Sequence, residues 1–259
     1  SFIPEEFWTL EGTFKKSKAA FNAQLALYNG EKPTLKKERE VQAIIDMLRG
    51  KEATVTDVKS TEKTIHPKPP FTTSTMQQTA ANRLGFTSRK TMQIAQQLYE
   101  GISVGSSRVG LITYMRTDSV RISDVALTEV RKWIGEQYPD FLPAKPNIYS
   151  VGAKAQDAHE GIRPTYCTYT PEYLKDYLNR DQLRLYTLIW ERFTASQMTG
   201  AKTETLSYEI SAGDAVFKTA STKVTDKGFY AVLNILLSKE EKTKTLPALK
   251  TGDSLTVDS

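Results

Sequence analysis

Between Phe7 and Tyr28 apolar and polar residues alternate loosely, as in Phe21-Asn22-Ala23-Gln24-Leu25-Ala26-Leu27-Tyr28. A period near two puts apolar side chains on one face of an extended chain, so this stretch is predicted to be β-rich. Asn29-Gly30 follows, a dipeptide suited to the left-handed backbone of a tight turn. The period then changes. Val41, Ile44, Ile45 and Leu48 share one face of a helix predicted to be capped by Thr34, to run through Arg49 and to stop at Gly50. Residues 53–65 are rich in Thr and Val and read as a strand. His66-Pro67-Lys68-Pro69-Pro70 is a stiff, extended connector and marks a boundary.

Beyond the connector the period is helical. Ser74-Thr75-Met76-Gln77 has the form of a capping box, predicting a helix to about Leu84 that ends at Gly85. Ser88 is the expected cap of a second helix carrying Met92, Ile94, Ala95, Leu98 and Tyr99 and stopping near Gly101. Ser123 opens a third, with Val130, Trp133 and Ile134. Thr170-Pro171 opens a short one, proline being favoured at the first helical position. Asp181 opens the longest, with Leu185, Tyr186, Ile189, Trp190 and Phe193 facing inward. Strands return at 203–210, 216–218 and 254–257. The order predicts an α+β multidomain chain. A helical domain, 74–199, is inserted in a β-rich domain made of 1–73 and 200–259, with three separate small units as the alternative.

Composition narrows the class. Of 259 residues 39% are apolar and 25% charged, and 14 Gly with 11 Pro are too few for a low-complexity chain. The single cysteine, Cys167, excludes a disulfide framework and a Cys-based zinc site. Two histidines, His66 and His159, speak against a His-only metal site. No apolar run approaches the roughly 18 residues of a membrane span. The chain starts at Ser1 with neither Met nor signal peptide, and reads as a piece of a longer, cytoplasmic protein. Net charge is +5, and ten of the twelve Arg lie within 74–200. Arginine grips phosphate with a planar fork, so the middle of the chain is the candidate phosphate-facing surface. Arginine's use as a surface helix former accounts for the same bias.

Two stretches carry candidate chemistry. In Gly110-Leu111-Ile112-Thr113-Tyr114-Met115-Arg116-Thr117-Asp118-Ser119, Tyr114 and Arg116 are two apart and point to one side of an extended backbone. A guanidinium beside a phenol can favour the phenolate and bind the phosphate it attacks. Thr113, Thr117 and Asp118 can add hydrogen bonds. A core tyrosine followed by a turn fits the same residues. The second stretch, Ala158-His159-Glu160-Gly161-Ile162-Arg163-Pro164, offers an acid or phosphate donor (His159), an anchor for it (Glu160) and a second fork (Arg163). A hydrolase triad of Ser119, His159 and Asp118 has no GxSxG elbow to support it.

Residues 70–78, 91–101, 110–119 and 158–165 resemble, in this order, motifs of the type IA DNA topoisomerases, the family of bacterial topoisomerase I. The Tyr-x-Arg-Thr-Asp-Ser run at 114–119 is the most specific of them. The resemblance implies that Tyr114 attacks a single-stranded DNA phosphodiester, forming a 5′-phosphotyrosine and leaving a 3′-hydroxyl. Supercoils then relax without ATP. It assigns Arg116 to the scissile phosphate and His159 to the catalytic site. Arg163, Thr113, Thr117, Asp118 and Gln96 are assigned to DNA. The implied fold is a helical, winged-helix-like domain carried on a β-rich arch around a DNA-sized hole. The implied partners are single-stranded DNA and the acidic metal-binding and gate domains of the same parent chain, with no membrane; the implied location is the cytoplasm, at the nucleoid. The Asp-x-Asp motif for Mg²⁺, the Gly-Ile-Gly-Arg-Pro-Ser gate motif and the zinc ribbons are missing from this sequence. Mg²⁺ is therefore expected in the parent enzyme on ligands outside this chain. The isolated piece is expected to lack full activity, the alternative reading being a DNA-binding gate module without chemistry of its own.

Overall fold

Strand β1 (Glu11–Lys16) doubles back on β2 (Ala19–Tyr28), placing Phe14 opposite Phe21, and Phe14 also pairs with Val257 across the neighbouring strand. The computed structural model describes residues 4–149, 159–233 and 246–258. Their contacts divide them into two units, one within Ser1–Lys63, Thr203–Thr225 and Glu240–Ser259, the other within Thr64–Lys202 and Asp226–Lys239. Helix and strand are both well represented, as the α+β class requires.

In the first unit six strands close into a barrel in the order β1-β2-β7-β6-β3-β8, with β3 (Ala53–Ile65), β6 (Ala201–Ala212), β7 (Ala215–Asp226) and β8 (Ser254–Val257). Closure gives every strand a hydrogen-bonded neighbour on both sides. Phe14, Phe21, Tyr208 and Phe217 fill its core, Phe14 and Phe217 meeting edge to face at 5.1 Å. Asn29 and Gly30 both take positive φ (53° and 79°), and Tyr28 and Glu31 exchange backbone hydrogen bonds across them. Helix α1 (Glu38–Leu48) packs Val41, Ile44 and Leu48 on this core. It starts later than the expected Thr34 cap. The Leu35 carbonyl accepts from the Trp8 N–H and so is lost to a helical ladder, while Glu40 reaches back to the Lys36 and Lys37 N–H groups. Strands β6 and β7 also outrun the expected 203–210 and 216–218.

The second unit holds α2 (Thr73–Leu84), α3 (Ser88–Glu100), a hairpin of β4 (Ile102–Val104) and β5 (Ser107–Val109), α4 (Asp124–Gln137), α5 (Pro171–Leu174), α6 (Arg180–Ser196) and α7 (Tyr230–Leu233). Helix α6 is its axis. Leu185, Tyr186, Leu188, Ile189, Trp190 and Phe193 are all buried, and α2, α3, α5 and α7 lie against it. Phe71 is buried in the same core, so the end of the proline connector packs with the helices. Three caps differ from the sequence reading. Thr72 caps α2 in a reciprocal pair with Thr75, in place of Ser74 with Gln77. Thr87 caps α3 in place of Ser88, and Asn179 with Gln182 caps α6 in place of Asp181. Ser123 and Thr170 cap α4 and α5 as expected.

Candidate active site

Residues 110–114 form an extended segment, stitched to residues 161–165, and the chain bends at Met115. Ile112 bridges Pro164, the Thr113 N–H donates to the Arg163 carbonyl (2.9 Å), and the Thr165 N–H donates to the Leu111 carbonyl (3.0 Å). Gly110 opens it because a Cβ there would lie 2.8 Å from the Tyr99 carbonyl oxygen. On such a backbone alternate side chains face opposite ways. Met115 is fully buried, and Tyr114 and Arg116 on either side of it are exposed. Both residues of the two-residue spacing are exposed, and Tyr114 is not a core tyrosine. Its ring meets Tyr99 edge to face at 5.3 Å.

Thr73, at the start of α2, holds the segment from behind. Its hydroxyl donates to the Met115 carbonyl (2.7 Å) and lies 3.1 Å from that of Thr117, accepts from the Thr117 N–H (2.8 Å), and its own N–H donates to the Thr117 carbonyl (2.9 Å). One side chain thus fixes the backbone on both sides of Arg116. Thr73→Val removes the hydroxyl at nearly constant volume and leaves buried polar groups unpaired. It is expected to cost about 1–3 kcal/mol and to speed amide exchange at Thr117; unchanged unfolding and exchange would show that the clamp is unimportant.

An open cleft in this unit is lined by Thr73, Ser74, Arg116, Thr117, Asp118 and His159. It unites Arg116, Thr117, Asp118 and His159 from the sequence reading. The other candidates lie elsewhere. The Thr113 hydroxyl donates to the Gly161 carbonyl and accepts from the Arg163 N–H, stitching the two stretches together. Gln96 lies on α3, its amide on Glu100 (2.6 Å). Arg163 donates twice to Glu160 (3.1 and 2.9 Å) and once to the Pro164 carbonyl (3.0 Å). Glu160, expected to anchor His159, is instead taken up by Arg163 and by the Ser123 N–H that precedes α4 (2.7 Å). Burial raises the Glu160 carboxyl, but these donors more than offset it and hold it below the usual carboxylate range. Ser119 is buried with its hydroxyl accepting from the Arg121 N–H, which removes it as a triad nucleophile. Ala158 lies outside the described residues. Thr73 and Tyr99 escaped the sequence reading, being far from Tyr114 in the chain. Among the described residues no three His, Cys, Asp or Glu side chains are grouped to hold a metal, and no helix is long and apolar enough to cross a membrane.

Tyr114 and Arg116 are thus exposed on either side of buried Met115, and Arg116 shares its cleft with His159. The family model for DNA topoisomerase matches residues 1–259, and the chain belongs to that family. It is 57% identical over 252 residues to DNA topoisomerase 1 of Treponema pallidum (strain Nichols), covering 97% of this chain and 34% of that protein. Among solved structures, full-length topoisomerase I from Thermotoga maritima matches with a TM-score of 0.73 and 32% identity, covering 97% of this chain and 41% of the other. The type IA resemblance read from the motifs is thus borne out, and the chain spans about a third of the Treponema relative.

Proposed function

We propose that this chain supplies the nucleophile-bearing part of a type IA cleavage site acting on single-stranded DNA. The observation that carries it is the exposure of both Tyr114 and Arg116, on either side of buried Met115, on a segment clamped by Thr73 and residues 161–165. In this reading the Tyr114 phenol oxygen attacks the phosphorus and the bond to the 3′ oxygen breaks. The phenol proton passes to solvent. The 3′ oxygen leaves as a hydroxyl, taking a proton for which His159 is the cleft's imidazole. Arg116 holds the phosphate oxygens as charge gathers on them. The reverse attack reseals the strand, and the ester conserves the bond energy, so no ATP enters. Asp118 and Thr117 offer hydrogen bonds at the cleft, and Arg163 acts through the Glu160 pair that sets the second stretch.

The domain arrangement that accompanies this reading is a winged-helix-like domain set into a β-rich arch. Two helices followed by the β4–β5 hairpin support the first part and the closed barrel the second. The described residues do not assemble a Mg²⁺ site. Its acidic ligands would come from outside this chain, and the isolated segment would then bind and present DNA without completing the reaction. Arg116→Ala in the full-length enzyme tests the assignment. Cleavage is expected to fall about 10²–10³-fold with the unfolding midpoint unchanged, since Arg116 is exposed. Unaltered cleavage would remove Arg116 from the site.

A further inference from the structure

Four tyrosines outside the cleft form a continuous row. Ring centroids are 5.3 Å apart for Tyr166–Tyr169, 5.2 Å for the stacked Tyr169–Tyr173 pair and 6.1 Å for Tyr173–Tyr177. Tyr166, Tyr173 and Tyr177 are 50%, 50% and 41% exposed. Single exposed aromatics are ordinary, whereas an ordered row of them marks an interaction surface.

The row is held rigidly and starts at the candidate site. Tyr166 follows Thr165, whose N–H and hydroxyl donate to the carbonyls of Leu111 and Gly110 (3.0 and 2.6 Å), at the head of the segment that carries Tyr114. The buried Trp190 indole donates to the Cys167 carbonyl (2.9 Å), and the Tyr186 hydroxyl donates to that of Tyr169. Thr170 caps α5, which presents Tyr173, with Tyr177 four residues on. A backbone so anchored keeps the rings in one row when a ligand meets them. The charges beside the rings cancel: Glu172 and Asp176 against Lys175 and Arg180, Lys175 being paired with Glu172. Such a surface offers π-faces without net charge. It matches nucleobases that stack and does not match a backbone gripped by its phosphates.

We propose that the tyrosine row is a stacking rail for single-stranded DNA on the side of the cut that stays joined to Tyr114. The inference rests on the reading above. There, the 5′ phosphate becomes an ester of Tyr114, so the strand running 3′-ward from it is carried by this unit and needs a surface of its own. The rail begins opposite Gly110 and supplies that surface through the exposed parts of Tyr166, Tyr173 and Tyr177.

The test uses the 259-residue chain and a fluorescein-labelled oligothymidylate about eight nucleotides long, read by anisotropy across a salt series. The Leu variant Y166L/Y173L/Y177L is expected to weaken binding about thirtyfold or more, and the matching triple Phe variant to stay near wild type. The slope of binding against salt is expected to be unchanged in the Leu variant and smaller by about one in Arg116→Ala. A folded Leu variant that binds like wild type overturns the rail and leaves the row to a protein partner. A Leu variant whose loss comes with a reduced salt slope overturns stacking as its basis. If the wild type binds no single strand, the functional reading falls; if Arg116→Ala weakens binding and the Leu variant does not, only the rail falls. Should the triple variant not fold, the unmodified chain decides. Photo-crosslinks from a 5-bromodeoxyuridine oligonucleotide are expected within residues 166–177, and crosslinks found only elsewhere contradict the proposal.

Discussion

Tyr114→Phe, introduced into the full-length topoisomerase that carries this segment, abolishes DNA cleavage and relaxation, a fall on the order of 10⁵-fold or more, while the thermal midpoint stays where it was. The two halves of that expectation come from different observations. Removing the hydroxyl removes the atom that forms the ester with the 5′ phosphate, and Ser119 is buried with its hydroxyl accepting from the Arg121 N–H. The phenyl ring keeps its edge-to-face contact with Tyr99, and the buried Met115 that anchors the segment is untouched. Relaxation assays and calorimetry on the same preparation separate the two. A Phe variant that still forms covalent adducts would place the nucleophile elsewhere.

The second large effect lies in the core of the helical unit. Glu191, near the middle of α6, is 1% exposed, and neither carboxylate oxygen has a hydrogen-bond partner. Burial pushes its carboxyl up from an ordinary 4.5 to about 8, with Arg83 pulling the other way. An acid whose folded-state pKa is raised favours the folded state while it holds its proton. Its contribution is therefore complete below about 4.5, declines as pH rises, and is gone by about 8. Glu191→Gln keeps the shape and removes the titration. The variant is expected to be more stable than wild type at pH 8 by about 4 kcal/mol, and the difference is expected to shrink below about 1 kcal/mol by pH 5 and to vanish below about pH 4.5. Urea unfolding across that range checks it, and parallel curves for the two proteins would contradict it. The acid side belongs to another residue. Glu160 is held below the usual carboxylate range, so its contribution is present at neutral pH and is lost only as pH falls through that lowered value.

Much of this was legible in the order of residues, and what was not has identifiable causes. Faces defined by period were read correctly: Ile94, Ala95 and Leu98 on α3, and Leu185, Ile189 and Phe193 on α6, are buried as their spacing requires. Tyr114 and Arg116 are exposed on either side of buried Met115, a pattern that fits the two-residue spacing. Caps were shifted where several hydroxyl residues adjoin. Thr72, Thr73, Ser74 and Thr75 are locally near-equivalent, and the choice falls to Thr73 being drawn into the long-range bonds with Met115 and Thr117. The partner of Glu160 was misread because the N-terminus of α4, 37 residues away in sequence, competes for the same carboxylate. The tyrosine row was present as a spacing of three, four and four residues, but spacing alone does not say whether rings are buried. Strand β7 was underestimated because its later half carries polar, exposed residues with no apolar alternation to reveal it, while β6 was missed only at its two ends.

The most direct test of the central claim is to find which residue carries the DNA. The full-length enzyme is trapped with a labelled single-stranded oligonucleotide, and the nuclease-trimmed adduct is digested and sequenced by tandem mass spectrometry. The 5′ phosphate is expected on Tyr114, within the peptide that ends at Arg116. A nucleotide found on any other residue would contradict the account.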